Sequence, residues 1–105
     1  MISELLWCGR ENAICTKDLL TITGLKNART LQNIIERERA EGALILSTSQ
    51  HGGGYFLPSE GEKGIREMLE FERTLNARAL NTLRTLKTVR AALKKKRCGD
   101  QMEIL

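Results

Sequence analysis

Apolar residues follow two different rhythms along this chain, and the change of rhythm divides it. Up to Pro58 they come in short clusters separated by glycines and polar caps. From about Glu62 to Arg97 they recur every three or four residues, with nothing to break the pattern after Gly64. The first rhythm predicts several short elements around a small core, and the second predicts one long amphipathic helix.

Ile2, Leu5 and Leu6 stand at helical spacing, with Ser3 as a candidate cap and Gly9 as a stop, which predicts a short first helix over 2–8. Ile14, alone between polar neighbours, reads as a short extended segment. Thr16 is a candidate N-cap, and Asp18 stands near the positive end of the helix dipole. Leu19, Leu20 and Ile22 supply the buried side of that helix, and Gly24 ends it in the left-handed conformation. A turn through Leu25 and Lys26 leads to Asn27, a second cap. The next helix is predicted from Ala28 to about Glu41, with Ala28, Leu31, Ile34 and Ile35 on its inner face and Gly42 closing it. A strand follows over Ala43 to Leu46, then a glycine-rich tip over Ser47 to Gly54, then a return strand over Tyr55 to Leu57. Pro58 ends the pairing because it has no N–H to donate.

Capped helix, glycine turn, capped helix and glycine-tipped hairpin, in that order, predict a winged helix-turn-helix over 1–58. The expected fold is therefore mainly α with a small β-hairpin wing, followed by a long C-terminal helix. A short linker over 59–61 joins the two parts. The long helix is expected over 62–97, and Gly99 is its expected stop within a flexible tail over 98–105.

The long helix carries apolar or small residues at Ile65, Met68, Leu69, Leu75, Ala79, Thr82, Leu86, Val89 and Leu93. Their spacing alternates three and four, near the heptad period by which two helices share a seam, although Glu72 interrupts it. A domain of about sixty residues has too little surface to cover such a helix. Dimerisation through Ile65, Met68, Leu69, Leu75, Ala79, Leu86, Val89 and Leu93 is the expectation, in either orientation. The alternative is a helix that folds back in two pieces on its own domain.

Charge sharpens this picture. The net charge is +4, yet six basic and six acidic residues balance between Met1 and Phe56, whereas Arg73 to Arg97 holds nine basic residues and no acidic one. Such a run attracts phosphate, an acidic partner or an anionic membrane surface, or else simply forms a solvated helix face. Aromatics make up only 4% of the chain, so the core must rest on Leu, Ile and Ala. Three cysteines, Cys8, Cys15 and Cys98, without paired spacing indicate neither a disulfide framework nor a zinc site. Cys8 and Cys15 are expected to act as small buried hydrophobes. No signal segment or membrane-spanning run is apparent, so a cytoplasmic protein with reduced thiols is expected.

The second helix of the motif offers side chains suited to base edges. Arg29 matches guanine O6 and N7, while Asn33 and Gln32 match adenine N6 and N7, because each can make two coplanar bonds. Thr30 and Arg37 share the outward side. Lys17, Lys26 and Asn27 stand at helix entrances suited to phosphates. At the wing tip Gln50 and His51 are candidates for backbone contact, although the tip has no Lys or Arg. Gly52-Gly53-Gly54 is not a phosphate-binding glycine motif. No catalytic cluster, metal-ligand set or cofactor motif stands out, so an enzyme is not expected, nor a small-molecule ligand. Glu36, Glu38 and Glu41, interleaved with Arg37 and Arg39, predict surface salt bridges.

Residues Leu31 to Gly42, then Ala43-Leu44-Ile45 and the ending Gly54-Tyr55-Phe56-Leu57-Pro58, resemble the N-terminal winged-helix domain of biotin-repressor-type regulators, over roughly residues 2–58. The ligase domain of that family has no counterpart here, so nothing about biotin is implied. Glu38 stands where that pattern has an apolar residue under the wing, which predicts a core looser there or shifted onto Ile34. Arg29, Leu31, Ile34 or Ile35, Glu38, Arg39, Gly42 and Ile45, with the same ending and a long basic helix, are similar to small winged-helix proteins of prophages and mobile elements in Gram-positive bacteria. That resemblance implies a DNA-binding accessory or regulatory protein whose recognition helix is 27–41.

Two readings follow. One is a dimeric winged-helix protein that binds double-stranded DNA, as a transcriptional regulator or mobile-element accessory factor. The other is a protein-interaction adaptor whose basic helix docks on an acidic partner.

Overall fold

The computed structural model describes residues 1–100, except the side chains of residue 51 and of 98–100. It is mainly helical with one antiparallel hairpin, in the layout of a winged helix followed by a long helix. Helix α1 spans Thr16–Thr23 and α2 spans Ala28–Ala40; strands β1, Leu46–Thr48, and β2, Gly54–Phe56, form the hairpin; α3 spans Gly61–Asp100. By packing the chain divides into Met1–Phe71 and the remainder from Glu72, so the start of α3 belongs with the winged-helix part rather than standing beyond a linker. The helix runs through Gly99 to Asp100, and the rest of the expected tail, 101–105, lies outside the described residues.

The two helices of the motif end and begin as their residues dictate. Gly24 takes the left-handed conformation (φ 76°), and its N–H caps the Leu20 carbonyl. Asn27 Oδ1 accepts from both the Thr30 N–H and the Thr30 hydroxyl, each at 2.9 Å, which fixes the entrance of α2. The cap of α1 is Cys15, with Thr16 as the first helical residue, so the helix begins one position earlier than expected.

Leu19, Leu31, Ile35 and Ile45 form the centre of the core with Ile2 and Leu6, and Phe56 and Leu46 are also fully enclosed. Ile34, Leu20 and Ala43 pack against its margin. Ile22, expected inside, is 56% exposed, because the buried side of the eight-residue α1 is narrow and centres on Leu19. The strand expected from Ala43 begins later. Leu44 faces outward, Ile45 points into the core, and the pairing runs Leu46↔Phe56, Ser47↔Tyr55 and Thr48↔Gly54.

The segment before α1 is not the expected first helix. Ile2–Leu5 makes a single 3-10 turn, after which the chain extends alongside the hairpin. Leu57 N–H donates to the Trp7 carbonyl and Gly9 N–H to the Leu57 carbonyl, both at 2.8 Å. Farther along the same edge Ile14 and Tyr55 exchange two bonds of 2.9 and 3.0 Å, as the extended reading of Ile14 anticipated. These bonds satisfy main-chain groups of the return strand, and they require Trp7 to Gly9 to be extended rather than helical. Gly54 fits because its backbone passes close to Ile14; a Cβ there would lie 2.9 Å from the Ile14 carbonyl. Cys8 sits on this outer strand and is exposed, and Cys15 is half-buried, so neither is the enclosed hydrophobe expected.

Two buried carboxylates hold the periphery to the core. Glu38, only 4% exposed, continues the inner stripe of α2 after Leu31 and Ile35. Its oxygens accept from the N–H groups of Ile2 (2.7 Å) and Ser3 (2.9 Å), so it anchors the first turn and is not part of a surface salt bridge. The core is therefore not shifted onto Ile34, because Glu38 itself is buried with its charge satisfied. Glu67, 3% exposed, accepts from the N–H of Arg10 (3.0 Å), the N–H of Ser59 (2.8 Å) and the Ser59 hydroxyl (3.2 Å). It ties the Arg10–Asn12 turn and the entry to α3 together. Arg10 pairs with Glu70, and Lys63 with Glu11 at 2.7 Å, across the same junction.

Burial alone would raise the carboxyl pKa of Glu38 and Glu67, but the main-chain donors outweigh it, and both end below the ordinary glutamate value. Both groups thus hold fewer protons folded than unfolded near that value. Their stabilisation is present above the ordinary glutamate range and is lost as pH falls through the lowered folded values. Chemical denaturation at decreasing pH is expected to show stability falling below about pH 4.5, more gently in Glu38→Gln and Glu67→Gln. A slope unchanged in both variants would assign acid lability to other groups.

Candidate nucleic-acid interface

With Leu31, Ile35 and Glu38 turned inward, α2 presents Arg29, Gln32, Asn33, Glu36 and Arg37 on its exposed side. The α-helical period places Arg29, Asn33 and Arg37 one turn apart along that side. The face is broad, polar and predominantly donor-bearing. Glu36 is the exception, and its carboxylate is engaged by Arg39 at 3.2 Å.

Not every expected contact residue keeps its chemistry available. Asn27 uses Oδ1 for the cap, so its side-chain NH₂ is the group left to face a phosphate. Thr30 has given its hydroxyl proton to Asn27 and can only accept, which unsuits it to phosphate and restricts it to base-edge donors. Lys17 at the start of α1 and Lys26 before α2 are both exposed. At the hairpin tip Gln50 is exposed and opens a 3-10 turn, Gln50–Gly52; the side chain of His51 lies outside the description.

Arg39 has a structural role that its sequence neighbourhood concealed. Its Nε donates to the Ile45 carbonyl at 2.8 Å, and its guanidinium lies 4.9 Å from the Phe71 ring centre and 5.9 Å from that of Tyr55. One side chain thus joins α2, the hairpin and the first part of α3 by a hydrogen bond and cation–π contacts. The Glu38-Arg39 pair in the α2 sequence therefore serves architecture, while the side chains around it face solvent. The apolar–aromatic ending Tyr55-Phe56-Leu57 is likewise consumed in pairing and core.

On α3, Ile65 and Leu69 are exposed within the compact unit and Met68 is half-buried there. From Glu72 to Arg97 every residue is exposed, including Leu75, Ala79, Leu86, Val89 and Leu93. Leu80 and Leu83, outside the expected seam, are exposed as well. Good helix formers with no Gly or Pro between Ile65 and Arg97 keep this segment helical.

Among the described residues no cluster of His, Cys, Asp or Glu could hold a metal ion, and no helix is long and apolar enough to cross a membrane. The fold defines a winged-helix-like class. Comparison of the chain with protein-family models, with curated proteins and with solved structures finds no match.

Proposed function

We propose that this chain binds double-stranded DNA through α2, as a homodimer joined by α3. The observation that carries the reading is the exposed side of α2, where Arg29, Gln32, Asn33 and Arg37 stand outward on a helix whose inner side is locked to the core. Planar donors and acceptors on one face of a rigid helix are the chemistry that reads major-groove edges. Lys17, Lys26 and the Asn27 amide flank the helix entrance and supply phosphate contacts that set its orientation. The nine basic residues from Arg73 to Arg97 of α3 add sequence-independent attraction. A regulator or accessory factor that must find a site on duplex DNA needs both kinds of contact.

The test is fluorescence-anisotropy binding to a pool of short duplexes, titrated with salt, followed by selection of the bound fraction. Binding is expected to weaken steeply with salt and to enrich one sequence. Arg29→Ala/Asn33→Ala is expected to remove that enrichment and to weaken the selected site by roughly 2–6 kcal/mol, since each good bidentate contact discriminates by about 1–3 kcal/mol. Residual nonspecific binding should survive in the double variant. The hairpin tip, with no Lys or Arg over residues 47–54, favours a second reading as a protein-interaction adaptor. Absence of DNA binding at moderate salt, or binding indifferent to the double variant, would select that second reading.

A further inference from the structure

We propose that the exposed segment of α3 pairs with a second copy of itself in antiparallel orientation, centred near Arg84, with Glu72 of each copy facing the partner's Lys96. This rests on the dimeric part of the proposed function and fixes the orientation of its helices. From Leu75 to Leu93 the exposed seam keeps strict alternating steps of four and three, and the same steps carried outward land on Glu72 before it and Lys96 after it. The seam is thus an apolar stretch, softened by Thr82, with opposite charges at its two ends.

Those end charges decide between orientations. In a parallel pair each seam position meets its own copy, so Glu72 would face Glu72 and Lys96 would face Lys96, two like-charge contacts at positions meant for apolar packing. In the antiparallel pair both repulsions become attractions. Leu75 then meets the partner's Leu93, Ala79 meets Val89, and Thr82 meets Leu86, so each small or polar residue packs against a larger apolar one. Sliding one copy by a heptad in either direction sets Glu72 against Val89 or Lys96 against Ala79, leaving one charge in the seam without its opposite. A single register therefore satisfies every seam position from 72 to 96. That stretch is about 36 Å long at 1.5 Å per residue.

Two further features fit this pairing. Leu83, the most exposed leucine of the helix at 58%, flanks the seam and falls on the two-fold axis, where it meets its own copy. Beside it, Asn76 flanks the partner's Arg90 and Arg78 flanks the partner's Ala92, so the basic run brings no like-charge pair against the seam. A nine-cation segment with no acidic residue is otherwise a poor match for its own copy, and this register is how it can self-associate.

Sedimentation of the full chain gives the dimer dissociation constant, and a charge-exchange cycle tests the register. Glu72→Lys and Lys96→Glu are each expected to weaken the dimer by about tenfold or more, and the double variant to restore it, since the exchanged pair faces itself with reversed signs. In a parallel dimer the double variant would gain nothing over the singles. In a chain with Cys8, Cys15 and Cys98 replaced by Ser, Leu83→Cys is expected to oxidise readily to a covalent dimer, whereas in a parallel pair the two positions lie on opposite sides of the seam. A chain that remains monomeric, a cycle without restoration, or failure of the Leu83→Cys variant to cross-link would overturn the proposal. DNA binding is read separately in the anisotropy assay. A monomer that still selects a duplex removes only the pairing, and an antiparallel dimer that ignores DNA removes only the DNA reading.

Discussion

Glu67→Ala is expected to bring the compact unit close to unfolding at room temperature. The carboxylate is 3% exposed and receives three hydrogen bonds, from the main chain at Arg10 and from the main chain and hydroxyl of Ser59. Bonds to a charged acceptor contribute about 1.5–3 kcal/mol each, and removing the acceptor also leaves donors in a site that water does not reach. A combined loss of about 3–5 kcal/mol follows, since the three bonds share one side chain and do not add fully. A unit of about 71 residues has a total stability on the order of 4–10 kcal/mol, so this is a large share of it. Glu67→Gln keeps one acceptor oxygen and is expected to cost distinctly less. Urea denaturation followed by circular dichroism reads both. A midpoint within experimental error of the unsubstituted chain for Glu67→Ala would mean that the Arg10 and Ser59 donors find other partners.

That glutamate shows where sequence reasoning reached and where it stopped. Helix α2 and its cap were legible because Asn27 is a strong N-cap and Leu31 and Ile35 repeat at four. The hairpin was legible because glycines and Pro58 bound two short apolar runs. What escaped were charged residues serving as interior fasteners. Glu38 lies on the inner stripe of α2, seven residues after Leu31 and three after Ile35, and Glu67 follows the buried Gly64 by three. Their spacing marked them as inward, but residue type outweighed position, since buried carboxylates are rare unless paired or hydrogen-bonded. Their donors are main-chain N–H groups of distant segments, which leave no mark on composition or periodicity. The first turn was misjudged for a related reason. Ile2, Leu5 and Leu6 do satisfy a helical period, but the outer edge of the return strand needed Trp7 and Gly9 as partners, and that tertiary demand prevailed. The exposed face of α2 was read correctly by position, but the loss of the Thr30 proton to Asn27 could be seen only in three dimensions.

The same junction makes Gly64 indispensable, and Gly64→Ala is expected to be nearly as damaging as losing Glu67. Gly64 is buried in the first turns of α3, where its α-carbon lies against the main chain of Ser59. A methyl group there would overlap the Ser59 carbonyl oxygen and stand 2.8 Å from the carbonyl carbon, and backbone cannot turn away as a flexible side chain can. Alanine favours helix over glycine by about 1 kcal/mol, so on local propensity alone the substitution would stabilise. The clash reverses that sign, because overpacking against backbone costs about 1–3 kcal/mol and more when the segment is tethered. Ser59 is so tethered, by its own two bonds to Glu67. Moving Ser59 to admit the methyl group would break those bonds, so the two substitutions draw on one junction. Gly64→Ala/Glu67→Ala is therefore expected to cost clearly less than the sum of the single variants. Urea midpoints of the four chains measure this directly. A stabilised Gly64→Ala chain would show that the entry to α3 yields freely, and full additivity would separate Ser59's two contacts. With the expected coupling, residues 59–67 behave as a single clasp holding α3 to the winged-helix core, and the exposed face of α2 should keep its geometry only while that clasp is closed.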